Sequence, residues 1–135
     1  MRIKLINLGI LIFIMGCANT EVKNNKDLEQ NMMDVKIYQE NMGDHIKAKD
    51  LEDASWLLEG MDSILLILDK QVTNHYKLPA PFSYYYKKEL RKPIKGIREA
   101  IQDKDTAKAL HNYRILVNNC NDCHIDNEID KQVNF

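Results

Sequence analysis

A long apolar repeat in the first half of this 135-residue chain can be accommodated by very few folds. From position 51 to position 72 the apolar residues recur at alternating spacings of three and four, at Leu51, Ala54, Leu58, Met61, Leu65, Leu68 and Val72. That spacing places all of them on one side of an α-helix, as in the seam of a helical bundle. Asp50, with Asp53 three residues later, predicts the start of this helix as an N-cap. The apolar face is expected to be widened by Trp56, Leu57, Ile64 and Ile67.

Three further segments have the same helical period. The first begins near Asp27, an N-cap with Gln30 three residues on, and its stripe comprises Leu28, Met32, Val35, Met42 and Ile46. The third follows a loop that contains Pro79 and Pro81, and it is expected to kink or restart at Pro93. Its stripe comprises Leu90, Ile94, Ile97 and Ile101, and the stripe of the fourth comprises Leu110, Tyr113, Val117, Cys120 and His124.

Four helices with mostly short connections, and no strand-like alternation of apolar and polar residues, predict an all-α fold. The expected architecture is an antiparallel up-down-up-down four-helix bundle that follows a signal peptide and a short tether.

The first 16 residues differ in composition from the rest of the chain. Arg2 and Lys4 precede an apolar run from position 5 to position 15, the order of a secretory signal peptide. At about 11 residues this run is too short to cross a bilayer, which needs about 20. The run ends Ile14-Met15-Gly16-Cys17, which resembles the lipobox of bacterial lipoproteins, with ordinary cleavage nearby as the alternative.

These segments give a predicted domain organisation. Residues 1–16 are the signal peptide, and residues 17–26 form a flexible tether that is anchored to a membrane through acylated Cys17. The bundle takes residues 27–135.

A five-residue motif near the end of the fourth helix carries the predicted chemistry: Cys120-Asn121-Asp122-Cys123-His124. On a helix Cys120, Cys123 and His124 occupy positions i, i+3 and i+4, so they project from the same face. C-x-x-C-H is the pattern by which one haem c is attached covalently through two thioether bonds, with the histidine as an iron ligand. Two alternatives are a redox dithiol, which is expected in a βαβ context, and half of a zinc site, which needs four ligands.

The cysteine count agrees with this assignment. The chain has three cysteines, of which Cys17 takes the lipid and Cys120 and Cys123 take the haem. No thiol then remains for a structural disulfide, so none is expected.

Four helices in this order, with C-x-x-C-H at the end of the last, resemble the four-helix c-type cytochromes, of which cytochrome c′ is the familiar member. The resemblance covers about residues 27–128, and residues 113–124 look most like the final helix of exported members. It implies haem attachment outside the cytoplasmic membrane and a periplasmic or outer-membrane lipoprotein of a Gram-negative bacterium. Cytochromes c′ typically carry a basic residue four positions after the haem histidine, whereas this chain has Glu128 there and Asp126 before it. That departure weakens the expectation of gas-binding, five-coordinate chemistry.

The sixth ligand of the iron is left open. In an antiparallel bundle His124 lies at the same end as the start of the first helix and the loop between the second and third. Met32 stands where methionine-ligated members of the resembled group carry their axial sulfur; Met33, His75 or no protein ligand are the alternatives. At about 1.5 Å per residue, His45 and His111 lie about 20 Å too far along their helices. Donors to the haem propionates are expected among Lys77, Tyr84, Tyr85, Tyr86, Lys87, Lys88 and Arg91, although a solvated face explains these residues equally well.

Charge and motif content narrow the function. Removing Arg2 and Lys4 leaves 17 basic residues against 20 acidic ones, a net charge of −3, which argues against nucleic acid as a partner and against electrostatic docking on anionic lipid. No nucleophile with its base and no phosphate loop is present, so an enzyme is not expected. The sequence therefore predicts a membrane-tethered monohaem cytochrome that passes single electrons between redox partner proteins. The alternative is a haem module that binds nitric oxide or carbon monoxide, and pairing into a homodimer stays open.

Overall fold

A computed structural model describes residues 24–130 and 133–134 of the chain. The helices are α1 (Asn24–Lys47), α2 (Leu51–Gln71), α3 (residues 82–102) and α4 (Thr106–Asp126). Each helix packs against the next, and α4 packs against α1. The described residues contain no strand, so the predicted all-α helical bundle is confirmed. The signal peptide, Cys17 and most of the tether lie outside the described residues.

The start of α1 differs from the prediction. The helix begins at Asn24, three residues before Asp27, because nothing in the Asn24-Asn25-Lys26 run interrupts a helix. Gln30 donates a hydrogen bond to Asp34, at 3.5 Å, one turn further along α1.

Two three-residue connectors of the same design join α1 to α2 and α3 to α4. Lys49 and Lys104 have φ values of 64° and 55°, the left-handed conformation that commonly ends a helix. Asp50 and Asp105 follow them, and their N–H groups donate to carbonyls of the preceding helix at 2.9 and 2.8 Å. Each carboxylate then accepts a hydrogen bond from the backbone of the next helix. One aspartate therefore closes one helix and opens the next, which confirms Asp50 as an N-cap.

α3 passes through Pro93 without a break. It consists of the α-helical segments Phe82–Tyr85 and Arg91–Gln102 and, between them, the π-helical segment Tyr86–Leu90. Because proline has no N–H, the carbonyl of Glu89 lacks its usual helical donor. Asn119 of α4 donates to that carbonyl through Nδ2 at 2.6 Å. The proline thus leaves the carbonyl of Glu89 available to Asn119, and this hydrogen bond joins α3 to α4 one residue before the C-x-x-C-H motif.

Most of the core is formed by the predicted stripes. The most deeply buried large side chains of the core include Met42, Ile46, Leu58, Met61, Leu65, Leu68, Ile94, Ile97, Tyr113 and Leu116. The prediction that Trp56 and Ile67 widen the apolar face was wrong, since they are 68% and 46% exposed. Trp56 lies about 200° around the helix from Ala54, so its ring packs outside the core against Tyr38, with ring centroids 6.0 Å apart. Within the described residues, no helix has the length and apolar character needed to cross a membrane.

Candidate cofactor site

A cavity of about 250 Å³ opens at the end of the bundle where α1 begins and α4 ends. All the candidate ligands from that end of the bundle line it: Cys120, Cys123 and His124 from α4, Met32 and Met33 from α1, and His75 from the loop before α3. Much of the remaining wall is apolar and includes Leu28, Val35, Leu65, Phe82, Leu90 and Leu116. The fold therefore brings together side chains that are far apart in the sequence.

The two thiols of the motif are free and partly buried. Burial raises the pKa of Cys120 to about 12. Burial also raises the pKa of Cys123, although a hydrogen bond from Asn127 opposes the effect. A redox dithiol needs a thiol whose pKa is lowered. Two neutral thiols on one helical face in an apolar wall suit covalent attachment of a cofactor better than redox exchange.

A zinc site at these thiols is not supported, because within the described residues they belong to no group of three closely spaced His, Cys, Asp or Glu ligand atoms. Among residues 24–130 and 133–134, one group of three ligand atoms within 4.8 Å of one another comes from His45, Asp50 and Asp53. That group lies at the opposite end of the bundle, where His45 Nδ1 is 2.9 Å from Asp50 Oδ2 in an ordinary ion-pair geometry. The carboxylate of Asp50 has a lowered pKa, chiefly because of its hydrogen bond with His45.

The end of α4 is held in place by backbone and side-chain hydrogen bonds. Glu128 has a φ of 54°, and this left-handed turn lets the N–H of Ile129 donate to the carbonyl of His124 at 2.8 Å. Asn127 donates through Nδ2 to the carbonyl of Cys123 at 2.7 Å and to its Sγ at 3.5 Å. Tyr85 of α3 donates to Asn127 Oδ1 at 3.2 Å. The backbone that carries the motif is therefore fixed from α3 as well as from its own helix.

Two adjacent methionines of α1 differ in how they are presented. Both line the cavity. Met32 is partly buried and packs against the core, whereas Met33 is 52% exposed and lies at the rim. Met32 is therefore the better placed of the two for a ligand held inside the bundle.

His75 is held by a tight turn. The N–H of Leu78 donates to the carbonyl of His75 at 2.9 Å, and the N–H of Lys77 donates to Nδ1 of His75 at 3.2 Å. An imidazole nitrogen that accepts a hydrogen bond carries no proton, so the proton of a neutral His75 is on Nε2. Burial lowers the pKa of His75, which favours that neutral form.

The remaining predicted donors divide between the cavity and other surfaces. Lys77 and Tyr85 line the cavity. Tyr86 instead donates to Asp62 of α2 at 2.9 Å, and Tyr84 is 51% exposed. Lys87, Lys88 and Arg91 are also exposed.

His111, which the sequence places too far along its helix to bind the iron, is exposed on α4.

Gln39 is a cavity residue that the sequence analysis missed. It is 1% exposed, and its Nε2 donates to the hydroxyl of Tyr113 and to the carbonyl of Asn134, the latter at 3.2 Å. Its Oε1 is buried and has no hydrogen-bond partner within residues 24–130 and 133–134. The signal was present in the α1 stripe, since positions 28, 32, 35, 42 and 46 leave a gap that residue 39 fills. A polar residue at a seam position indicates a buried polar contact.

The residues around the cavity fit a haem. Two thiols and an imidazole share one helical face, a thioether stands on another helix, and apolar side chains form much of the wall. In the described part of the chain, no hydrogen-bond partner is found for the buried atoms His75 Nε2 and Gln39 Oε1. Buried polar atoms are nearly always hydrogen-bonded, so these two atoms are where polar groups of a cofactor or ordered water are expected.

Comparison of the chain with models of protein families, with curated proteins and with solved structures finds no match. The functional argument therefore depends on the motif and on the geometry of the cavity.

Proposed function

We propose that this chain is an exported, lipid-anchored monohaem c-type cytochrome that carries single electrons and is not an enzyme. The observation that carries the proposal is the convergence of Cys120, Cys123, His124 and Met32 on one largely apolar cavity. The bound haem would supply the one-electron iron couple, and its potential would depend on its ligands and on its burial.

The chain's own residues would have distinct tasks. Cys120 and Cys123 would hold the cofactor through thioether bonds, and His124 would ligate the iron from the same helix. Met32 would supply the second axial ligand, whose soft sulfur raises the reduction potential. The apolar side chains of the wall would limit the access of water to the iron.

Intact-mass analysis under denaturing conditions tests covalent attachment. Material matured in a host that assembles c-type cytochromes should carry the mass of one haem, and a Cys120→Ala, Cys123→Ala double variant should carry none. Cys17→Ala is the matched control, since it should lose the lipid and keep the haem. Wild-type protein without added porphyrin would refute the proposal.

The ferric spectrum tests the sixth ligand. Wild-type protein should be low-spin, and Met32→Ala should convert it to high-spin by opening the sixth position. Met33→Ala removes the same side chain from the neighbouring residue at the rim and should leave the spectrum unchanged. A high-spin wild type would instead favour the alternative function, binding of nitric oxide or carbon monoxide at an open position.

A further inference from the structure

His75 is 5% exposed and lines the candidate haem cavity, yet its Nε2 has no hydrogen-bond partner among the residues that the structure describes. The ring of Tyr76, itself 71% exposed, lies against the His75 ring with centroids 4.7 Å apart. A buried N–H without an acceptor is destabilising, so a site that keeps one is expected to provide its acceptor in the loaded state.

The turn that holds His75 argues against its use as an iron ligand. Nε2 would need to lose its proton to bind iron, and the proton would then move to Nδ1. Nδ1 already accepts the N–H of Lys77 at 3.2 Å, so two donors would face each other there. The geometry therefore presents Nε2 as a donor.

The positive charge of Lys77 indicates what kind of group accepts the hydrogen bond from His75 Nε2. Lys77 also lines the cavity, and its ammonium lies 3.9 Å from Oε1 of the exposed Glu29 and 5.6 Å from the ring centroid of Tyr76. A donor N–H beside a cation favours a carboxylate, because charge-assisted hydrogen bonds are the stronger ones. If Met32 fills the sixth position of the iron, no ligand on the metal is left to accept this proton. The carboxylates that a haem contributes are its two propionates.

We infer that Nε2–H of His75 donates a hydrogen bond to a haem propionate, with Lys77 beside it, and that His75 is a positioning residue and not an iron ligand. The inference rests on the proposed function, because only a bound haem supplies the propionate. The hydrogen bond neutralises part of the carboxylate's charge. Its loss should leave more negative charge near the iron and so stabilise the ferric form.

The test measures the midpoint potential and the ferric spectrum of the mature holoprotein. His75→Leu should lower the potential, shifting the redox equilibrium by up to about tenfold, or ~59 mV for one electron, while the spectrum stays low-spin. His75→Gln keeps an N–H donor and should recover part of the potential, which also covers the case in which the leucine variant folds poorly. His111→Gln is the control, because it alters an exposed histidine of α4 outside the cavity.

Each outcome has a distinct meaning. A change of spin state in both His75 variants would identify His75 as an iron ligand and overturn the inference. An unchanged potential in both variants would also overturn it, while leaving the cytochrome assignment intact. Wild-type protein without covalent haem would refute the proposed function itself, and the inference would fail with it.

Discussion

Lys49 and Lys104 adopt a backbone conformation that glycine usually provides. Both have positive φ values, both are exposed, and each precedes an aspartate that caps the following helix. For a residue with a Cβ, the left-handed helical conformation costs about 1 kcal/mol or more. The sequence predicted the cap at Asp50 because capping depends on the nearest residues. It could not predict that Nδ1 of His75 accepts the N–H of Lys77, because that hydrogen bond depends on the fold of the turn around His75.

Lys49→Gly should stabilise the protein by about 0.5–1 kcal/mol, because glycine relieves the strain at this helix end. Urea unfolding at neutral pH measures the change. Lys92→Gly makes the same substitution at an exposed position inside α3, where it should cost about 1 kcal/mol. Destabilisation of both variants by similar amounts would contradict the role of the left-handed turn.

At the scale of the element, the helices that sequence periodicity predicts best are those whose stripe is unbroken. The predicted stripes of α2 and α4 lie on the buried faces of these helices, because the spacing of apolar residues along a helix determines which face is buried. The π-helical segment of α3 was not predicted, and neither was the hydrogen bond from Asn119 of α4 to the carbonyl of Glu89 in that segment, because the bond joins residues 30 positions apart. The contact between α1 and α4 likewise depends on a pair distant in sequence: Gly43 lies directly against the ring of Tyr113, which is 1% exposed.

Gly43→Ala should therefore destabilise the bundle by about 1–3 kcal/mol, although alanine is the better helix former. The added methyl group would overlap the ring of Tyr113, which is packed in the core and cannot move aside. Gly96→Ala is the matched control, since its methyl group would meet the flexible side chain of Asn112, which can turn aside at the cost of one exposed hydrogen bond to the carbonyl of Lys108. Free energies of unfolding from urea titration should separate the two variants, and equal values would show that the close approach at Gly43 is unimportant.

At the scale of the whole molecule, two buried tyrosines join helices across the bundle. Tyr86 of α3 bonds to Asp62 of α2, and Tyr113 of α4 bonds to Gln39 of α1. Burial raises the pKa of each from 10.0 to about 12, and for Tyr86 the hydrogen bond to Asp62 adds to the effect. The sequence placed Tyr113 on the core stripe, and the gap in the α1 stripe pointed to Gln39 as a buried polar residue. Neither pairing could be predicted, because each joins residues of two different helices.

The alkaline stability of the protein should follow from these two groups. Between pH 10 and about 12 the folded state retains protons that the unfolded state releases, so the free energy of unfolding falls as the pH rises through this range. Below pH 10 the contribution is complete. Denaturant unfolding at a series of pH values measures the slope, which should be shallower in Tyr86→Phe. Tyr84→Phe removes an exposed hydroxyl and is the control; an identical slope in the two variants would contradict the assignment.

α1 starts at the cavity end of the bundle, where Leu28 and Glu29 line the opening. Six residues lie between Cys17 and Asn24, and the seven residue steps from one to the other span at most ~25 Å when fully extended. With the proposed haem in the cavity and the proposed lipid on Cys17, the haem end of the bundle would face the bilayer, and Trp56, near the opposite end, would face the aqueous phase. Redox partners in the same lipid leaflet would then have direct access to the cavity end of the bundle. Soluble electron carriers would have to approach that end from the side.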